Sequence, residues 1–382
     1  MVILNLSTYL PQECGIATFS ADLRKSLLPQ KLKFEILAIS DKENSYAYPK
    51  EVVFSLHKTD RTDYVRAAKF ANMRSDVDLV MIQHEYGIFG GQDGDYVLDF
   101  AQQLSKPFIV ITHSVLPNPS KQQRHILHML CQHAAGIVCM TESSASLLES
   151  LYSANTESIT VIPHGVPIFK KLSQSELKRK YDCEGRQIIT TFGLIGPGKG
   201  LDAGIKAIAE VSASHPSALY LILGKTHPNL IASEGETYRD MLKELTRSLG
   251  LENNVKFVNK FLTDDELGEY LNMTDIYLSP YPNRDQAVSG TMAFALGCGL
   301  AVVSTDYAFA KEVLGNGRGL LAKTNDPHEL AVLINRIIED KNLQNILRNK
   351  ASTLGKTLAW PATGQKYLFL FDKILKAYKT IS

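Results

Sequence analysis

Short apolar runs recur along the chain at helix-length intervals, and this spacing restricts the fold more than any other feature. In the first half they are Val2 to Leu6, Phe34 to Ile39, Leu79 to Gln83, Phe108 to Thr112, Gly136 to Thr141 and Ile159 to Pro163. Each is too short for a helix and too apolar for a strand with one face in water. Parallel strands buried on both faces and joined by right-handed helical crossovers are therefore expected. The pattern weakens from Pro167 to Glu184, a Lys-rich connector containing SQSELKRKYD. It restarts with Gln187 to Phe192, Ala218 to Leu223, Val255 to Val258, Asp275 to Ser279 and Ala301 to Thr305. A chain of 382 residues exceeds what one core usually organises. The expectation is an α/β protein of two Rossmann-like domains facing each other across a cleft. Residues 1–165 form the first domain and 166–358 the second. Residues 359–382 form a helix that crosses back to the first, with Trp360 and Pro361 breaking the helical run.

Composition removes several function classes. Forty-one Lys and Arg against 40 Asp and Glu leave a formal charge of +1. That offers no global field for nucleic acid or an anionic membrane, so any anion site must be local. Cys14, Cys131, Cys139, Cys183 and Cys298 are scattered without CxxC spacing, which indicates neither a disulfide framework nor a zinc site. The chain enters a strand directly, and no apolar run approaches a membrane span. A cytoplasmic protein without an integral span is expected, a reading compatible with peripheral membrane contact.

The strand ends carry the chemistry. His84 and Glu85, then Thr112, His113 and Ser114, then Thr141 and Glu142, then His164 and Gly165 form a polar rim beyond successive strands, where open parallel sheets bind ligands. The loop Ser7 to Gly15 ends on a glycine before a helix expected over Thr18 to Leu28. In EYGIFGGQDG, Tyr86 and Phe89 sit among glycines, an arrangement suited to stacking on a ligand ring, with Glu13 on a neighbouring loop as a hydrogen-bonding partner. In the second half FGLIGPGKGLDAG places Gly198 and Lys199 in a glycine-rich turn between strand and helix. Ser289, Gly290 and Thr291 open a small apolar helix whose first amides suit an anion.

Taken in order, CGIATFSADL, VITHS, IPHGVP, FGLIGPGKGLD, ALGCGLAVVST, NGRGLL and the late Trp360 resemble the GT-B glycosyltransferases, and more closely glycosyltransferase family 4. The resemblance implies a hexosyltransferase that takes a nucleotide-diphosphate sugar on its second domain and a saccharide or other hydroxyl acceptor on its first. It implies no metal and no further cofactor. Lys199 matches the lysine that contacts the diphosphate, while the usual arginine five positions earlier is Leu194; Lys225 or Arg284 could replace it. Gly15 matches the glycine loop near the donor phosphate, His113 a histidine near the donor sugar, and Phe261 the position where main-chain groups hold the base. The family's paired glutamates stand here as Gln286 and Phe294, which leaves Glu312 for the ribose. Glu13, His84, Glu85 and Tyr86 remain for the acceptor. Likeness to mannosyltransferases points to GDP-mannose. The altered positions also suggest an alternative, a nucleotide-sugar-binding pseudoenzyme or regulatory module.

Overall fold

The computed structural model describes residues 1–30, 32–41 and 46–381. The chain forms two compact units: Met1–Gly165 together with the segment from Trp360 onward, and Val166–Ala359. Residue 382, the last of the expected terminal segment, lies outside the described residues.

The first unit is built on a parallel sheet of seven strands: β1 (Val2–Ser7), β2 (Lys33–Ser40), β3 (Val52–His57), β4 (Leu79–His84), β5 (Phe108–Thr112), β6 (Gly136–Cys139) and β7 (Ile159–Val161). Their order is β3-β2-β1-β4-β5-β6-β7. β4, β5 and β6 are buried along their whole length, as expected of strands covered on both faces. The second unit has six strands: β8 (Gln187–Phe192), β9 (Ala218–Leu223), β10 (Val255–Val258), β11 (Ile276–Ser279), β12 (Ala301–Thr305) and β13 (Leu320–Ala322), in the order β10-β9-β8-β11-β12-β13. Both sheets thus reverse their winding beside their first strand, between β1 and β4 and between β8 and β11. At such switch points the loops after adjacent strands diverge and leave room for a ligand at the carboxyl edge.

Two strands have no counterpart among the expected runs. β3 lies at the sheet edge, where Val52, Val53 and Phe54 are only half-buried, and β13 has three residues. The helix after β1 begins at Gly15 rather than Thr18, because the Cys14 sulfur accepts the Ala17 N–H at 3.3 Å and caps it. The connector folds in part, with Ser173 capping a helix over Gln174–Lys180. The expected break in the helical run falls one residue earlier, at Ala359, where the helix Lys341–Leu358 ends. A single helix runs Trp360–Ile381, with Pro361 in the first turn, where a helix needs no N–H from that residue. Its buried stripe of Trp360, Tyr367, Leu370, Phe371 and Ile374 packs within the first unit, in part on the helix Gly15–Leu27.

Candidate active site

At the switch point of the second sheet, Gly193–Gly200 follow β8 and Pro280–Ser289 follow β11. The turn Pro197–Lys199 ends on Gly200, whose φ is +61°. A Cβ there would start 1.9 Å from the Pro280 carbonyl oxygen, so glycine alone lets the turn lie on the segment after β11. The result is that Lys199 Nζ donates to Tyr281 Oη at 2.5 Å and lies 4.5 Å from the centre of its ring. Tyr281 stacks on Tyr307 with ring centres 5.3 Å apart. Its hydroxyl is 2.9 Å from Thr291 Oγ1, which also accepts from the Tyr277 hydroxyl at 2.8 Å. Burial favours a protonated Tyr281, but the Lys199 ammonium and the hydrogen bonds around it hold the phenol below its ordinary pKa. Tyr277, buried without a cation against it, is held well above.

Ser289 caps the helix Gly290–Gly297, its Oγ accepting the Met292 N–H at 3.3 Å. The hydroxyls of Ser289 and Thr291 are therefore committed to the cap and to the tyrosines. What remains at this turn are the amides of Gly290 and Thr291, which have no hydrogen-bond partner among the described residues. The anion reading of this turn therefore rests on those amides together with the neighbouring ammonium. Gly198 lies on the outer side of the turn with open space around it.

The remaining residues of this set divide. Arg284 is engaged with Asp306, at 3.2 Å, and with the Lys323 carbonyl, so it is not held ready to replace the arginine missing at Leu194. Lys225 is half-buried in the turn after β9, where its carbonyl accepts the Ile195 N–H at 2.8 Å. Glu312 is half-buried on the helix Ala308–Leu314, and Phe261 is exposed after β10. Phe294 packs between Phe169 and Phe192, with ring centres 6.2 Å away in each case.

In the first unit, Gln83 Nε2 donates to Asn5 Oδ1 at 2.9 Å, which leaves Gln83 Oε1 to accept from His113 Nε2 at 2.8 Å. His113 is thereby held with its proton on Nε2, edge-on to the Phe19 ring at 4.8 Å. Burial, reinforced by His164 and His84, lowers its pKa to about 3. Gly15 is exposed at its helix start with nothing within 4 Å of where a side chain would begin, and Glu13 is half-buried in the same loop. Glu85 is bonded to Ser114, and burial raises its carboxyl.

Two acceptor assignments do not hold. His84 is fully buried with neither ring nitrogen partnered, 4.7 Å from the Tyr86 ring and stacked near Phe89, and burial lowers its pKa to about 4. Tyr86 and Phe89 are themselves buried, and the Tyr86 hydroxyl donates to the Gln123 carbonyl at 3.2 Å. The aromatic residues of this loop pack into their own unit, against His84. Sequence reasoning missed Tyr281 and Arg239. The first had a signal, an aromatic residue directly after a strand end inside the SPYPN loop. Arg239 had none: it sits in an ordinary amphipathic helix, yet its guanidinium is buried and donates to the Gly224 carbonyl at 2.7 Å.

Two parallel sheets with this strand order and interleaved helices define the GT-B architecture of glycosyltransferases. The chain superposes on sucrose-phosphate synthase from Thermosynechococcus elongatus with a TM-score of 0.81 at 15% identity, covering 99% of this chain and 100% of that one. It matches Anabaena HepE in complex with UDP and glucose with a TM-score of 0.78 at 17% identity, covering 98% and 100%. At these identities the likeness is one of fold. In sequence, residues 173–353 match the family described as Glycosyl transferases group 1. An uncharacterized glycosyltransferase of Methanocaldococcus jannaschii is 27% identical over 225 residues, 58% of this chain and 54% of that protein. The chain spans about half the length of the first curated relatives it matches. No helix among the described residues is long and apolar enough to cross a membrane.

Proposed function

We propose that the protein transfers a hexose from a nucleoside-diphosphate sugar to a hydroxyl of a saccharide or other acceptor. One observation carries this reading: the Lys199 ammonium and the two unpartnered amides at Gly290 and Thr291 belong to adjoining loops at the switch point of the second sheet. As the bond between the anomeric carbon and the phosphate oxygen breaks, the electron pair stays with the diphosphate. A fixed cation and fixed amides stabilise that developing charge without reorganising. The acceptor oxygen forms the new bond to the anomeric carbon and gives up its proton to the departing diphosphate. Lys199 and the amides supply the neutralising charge, so the reading assigns no resident metal. His113, neutral and oriented by Gln83, is assigned to the sugar, the exposed backbone at Gly15 to a phosphate oxygen, and Glu85 with Ser114 and Glu13 to the acceptor. GDP-mannose is the first donor to test.

The test is nucleoside-diphosphate release from GDP-mannose and UDP-glucose, with thermal shift against GDP and UDP. Stabilisation by a nucleotide together with turnover supports the transferase. Stabilisation without turnover favours a nucleotide-sugar-binding pseudoenzyme, a second reading motivated by the packing of Phe294, which offers the ribose no carboxylate. No stabilisation and no release reject both.

A further inference from the structure

Lysine has a flexible four-carbon stem, and fixing its ammonium costs rotamer freedom. Here that freedom is already restricted. Nζ lies against both the hydroxyl and the ring face of Tyr281. Tyr281 is about 1% exposed, so it is itself poorly placed to meet a ligand. Its ring is stacked on Tyr307, whose hydroxyl is anchored 3.0 Å from Ser279 Oγ at the end of β11. An ammonium can only donate, so the Tyr281 oxygen accepts from Lys199, and the same hydroxyl lies 2.9 Å from Thr291 Oγ1. The contact links the glycine-rich turn to the first turn of the helix Gly290–Gly297, and it leaves other N–H bonds of the ammonium for a further acceptor.

We propose that Tyr281 is a positioning residue: it holds the Lys199 ammonium beside the amides of Gly290 and Thr291, so that cation and amides address one diphosphate together. This rests on the donor reading of the second unit and deepens it. A preset cation lowers the ordering cost of binding, which a lysine free in solvent would meet at each encounter. The lowered pKa of the Tyr281 phenol agrees with a persistent ammonium contact.

The experiment is a double-mutant cycle on the full chain, with inorganic pyrophosphate as the probe and calorimetry as the readout. Tyr281→Phe removes one oxygen and keeps the stack on Tyr307. It should weaken pyrophosphate binding roughly tenfold, the order of one charge-assisted hydrogen bond. In a Lys199→Met background the same change should cost less than about twofold, since the group it positions is gone. A merely structural tyrosine would cost the same in both backgrounds, and that outcome overturns the proposal. Acylation of Lys199, followed by mass spectrometry, gives a readout independent of any anion. Tyr281→Phe should raise its rate severalfold, and an unchanged rate overturns the proposal as well. If the unaltered protein binds neither pyrophosphate nor any nucleoside diphosphate, the donor reading fails and this inference falls with it. Binding with additive variants rejects only the role of Tyr281.

Discussion

A side chain on Gly224 would begin 1.9 Å from the carbonyl oxygen of Gly193. The two glycines directly follow β9 and β8, and both have positive φ, +136° and +120°. The strands therefore stay paired beyond their regular ends, with Ile195 donating to the Lys225 carbonyl and His227 to the Ile195 carbonyl, each at 2.8 Å. This extension sets the path of the loop that carries Lys199. Gly224→Ala should separate the two loops and weaken nucleoside-diphosphate binding at least tenfold while far-ultraviolet dichroism stays close to that of the parent. Retained affinity would mean that the loop path does not matter.

Arg239 supports the same junction from the helix Thr237–Ser248. Its Nη2 donates to the Gly224 carbonyl at 2.7 Å and its Nε to Thr226 Oγ1 at 3.0 Å, with Glu236 3.3 Å away. Arg239→Met keeps the bulk and removes these donors. A loss of about 1–3 kcal/mol in urea unfolding of the second unit is expected, from leaving a buried acceptor unmet. A change below about 0.5 kcal/mol would show that Arg239 is dispensable to the junction.

The sheet strands were legible because each is a short apolar run between helix-length segments, and β5, β8, β9, β10 and β12 begin and end at the expected residues. β3 escaped because an edge strand buries one side only, and β13 because three residues carry no period. The site was legible in part for a related reason. Gly200 and Lys199 stand out as residue types, whereas the contact between Lys199 and Tyr281 joins positions 82 residues apart and depends on a switch point in the strand order. His84 shows the opposite failure. A strand-end histidine suggests a polar rim, but the rings of Tyr86 and Phe89 fold over it, which no local pattern announces.

Two buried histidines, His84 and His113, and the half-buried His164 predict how the first unit responds to acid. His84 and His164 have pKa values near 4 and His113 near 3, in each case chiefly through burial. Above the unfolded value of about 6.5 all three are neutral in both states and contribute no pH dependence. As pH falls from 6.5 toward 4, the unfolded chain takes up protons that the folded unit refuses, and stability drops by on the order of 1–2 kcal/mol per group at pH 5. Glu85, raised by burial, opposes this within the carboxylate range. Melting temperature should therefore fall between pH 7 and pH 5, and His84→Phe should reduce the slope by about one proton. A melting temperature flat over that window would contradict the neutral burial of these rings.

The terminal helix should be indispensable to the first unit. A chain ending at Ala359 would expose the surface that Trp360, Tyr367, Leu370, Phe371 and Ile374 cover. At about 2 kcal/mol for each large side chain, the loss reaches several kcal/mol, comparable with the whole stability of a domain. The first unit should then unfold at markedly lower urea or fail to fold, while the second unit keeps its own transition. Unfolding of the truncated chain at the parent's midpoint would rule this out.

Lys199 bears most directly on the proposed chemistry. It is the cation that the glycine-rich turn brings to the helix Gly290–Gly297, Leu194 supplies no charge, and Arg284 is occupied by Asp306 and the Lys323 carbonyl. A hydrogen bond to a charged group is worth about 1.5–3 kcal/mol, so Lys199→Ala should lower kcat/KM roughly ten- to two-hundredfold. If the charge develops as the glycosidic bond breaks, the loss falls mainly on kcat; if the ammonium binds ground state and transition state alike, it falls on KM. Lys225→Ala supplies the comparison. A mild effect at Lys199 with a large one at Lys225 would move the diphosphate contact to the turn after β9.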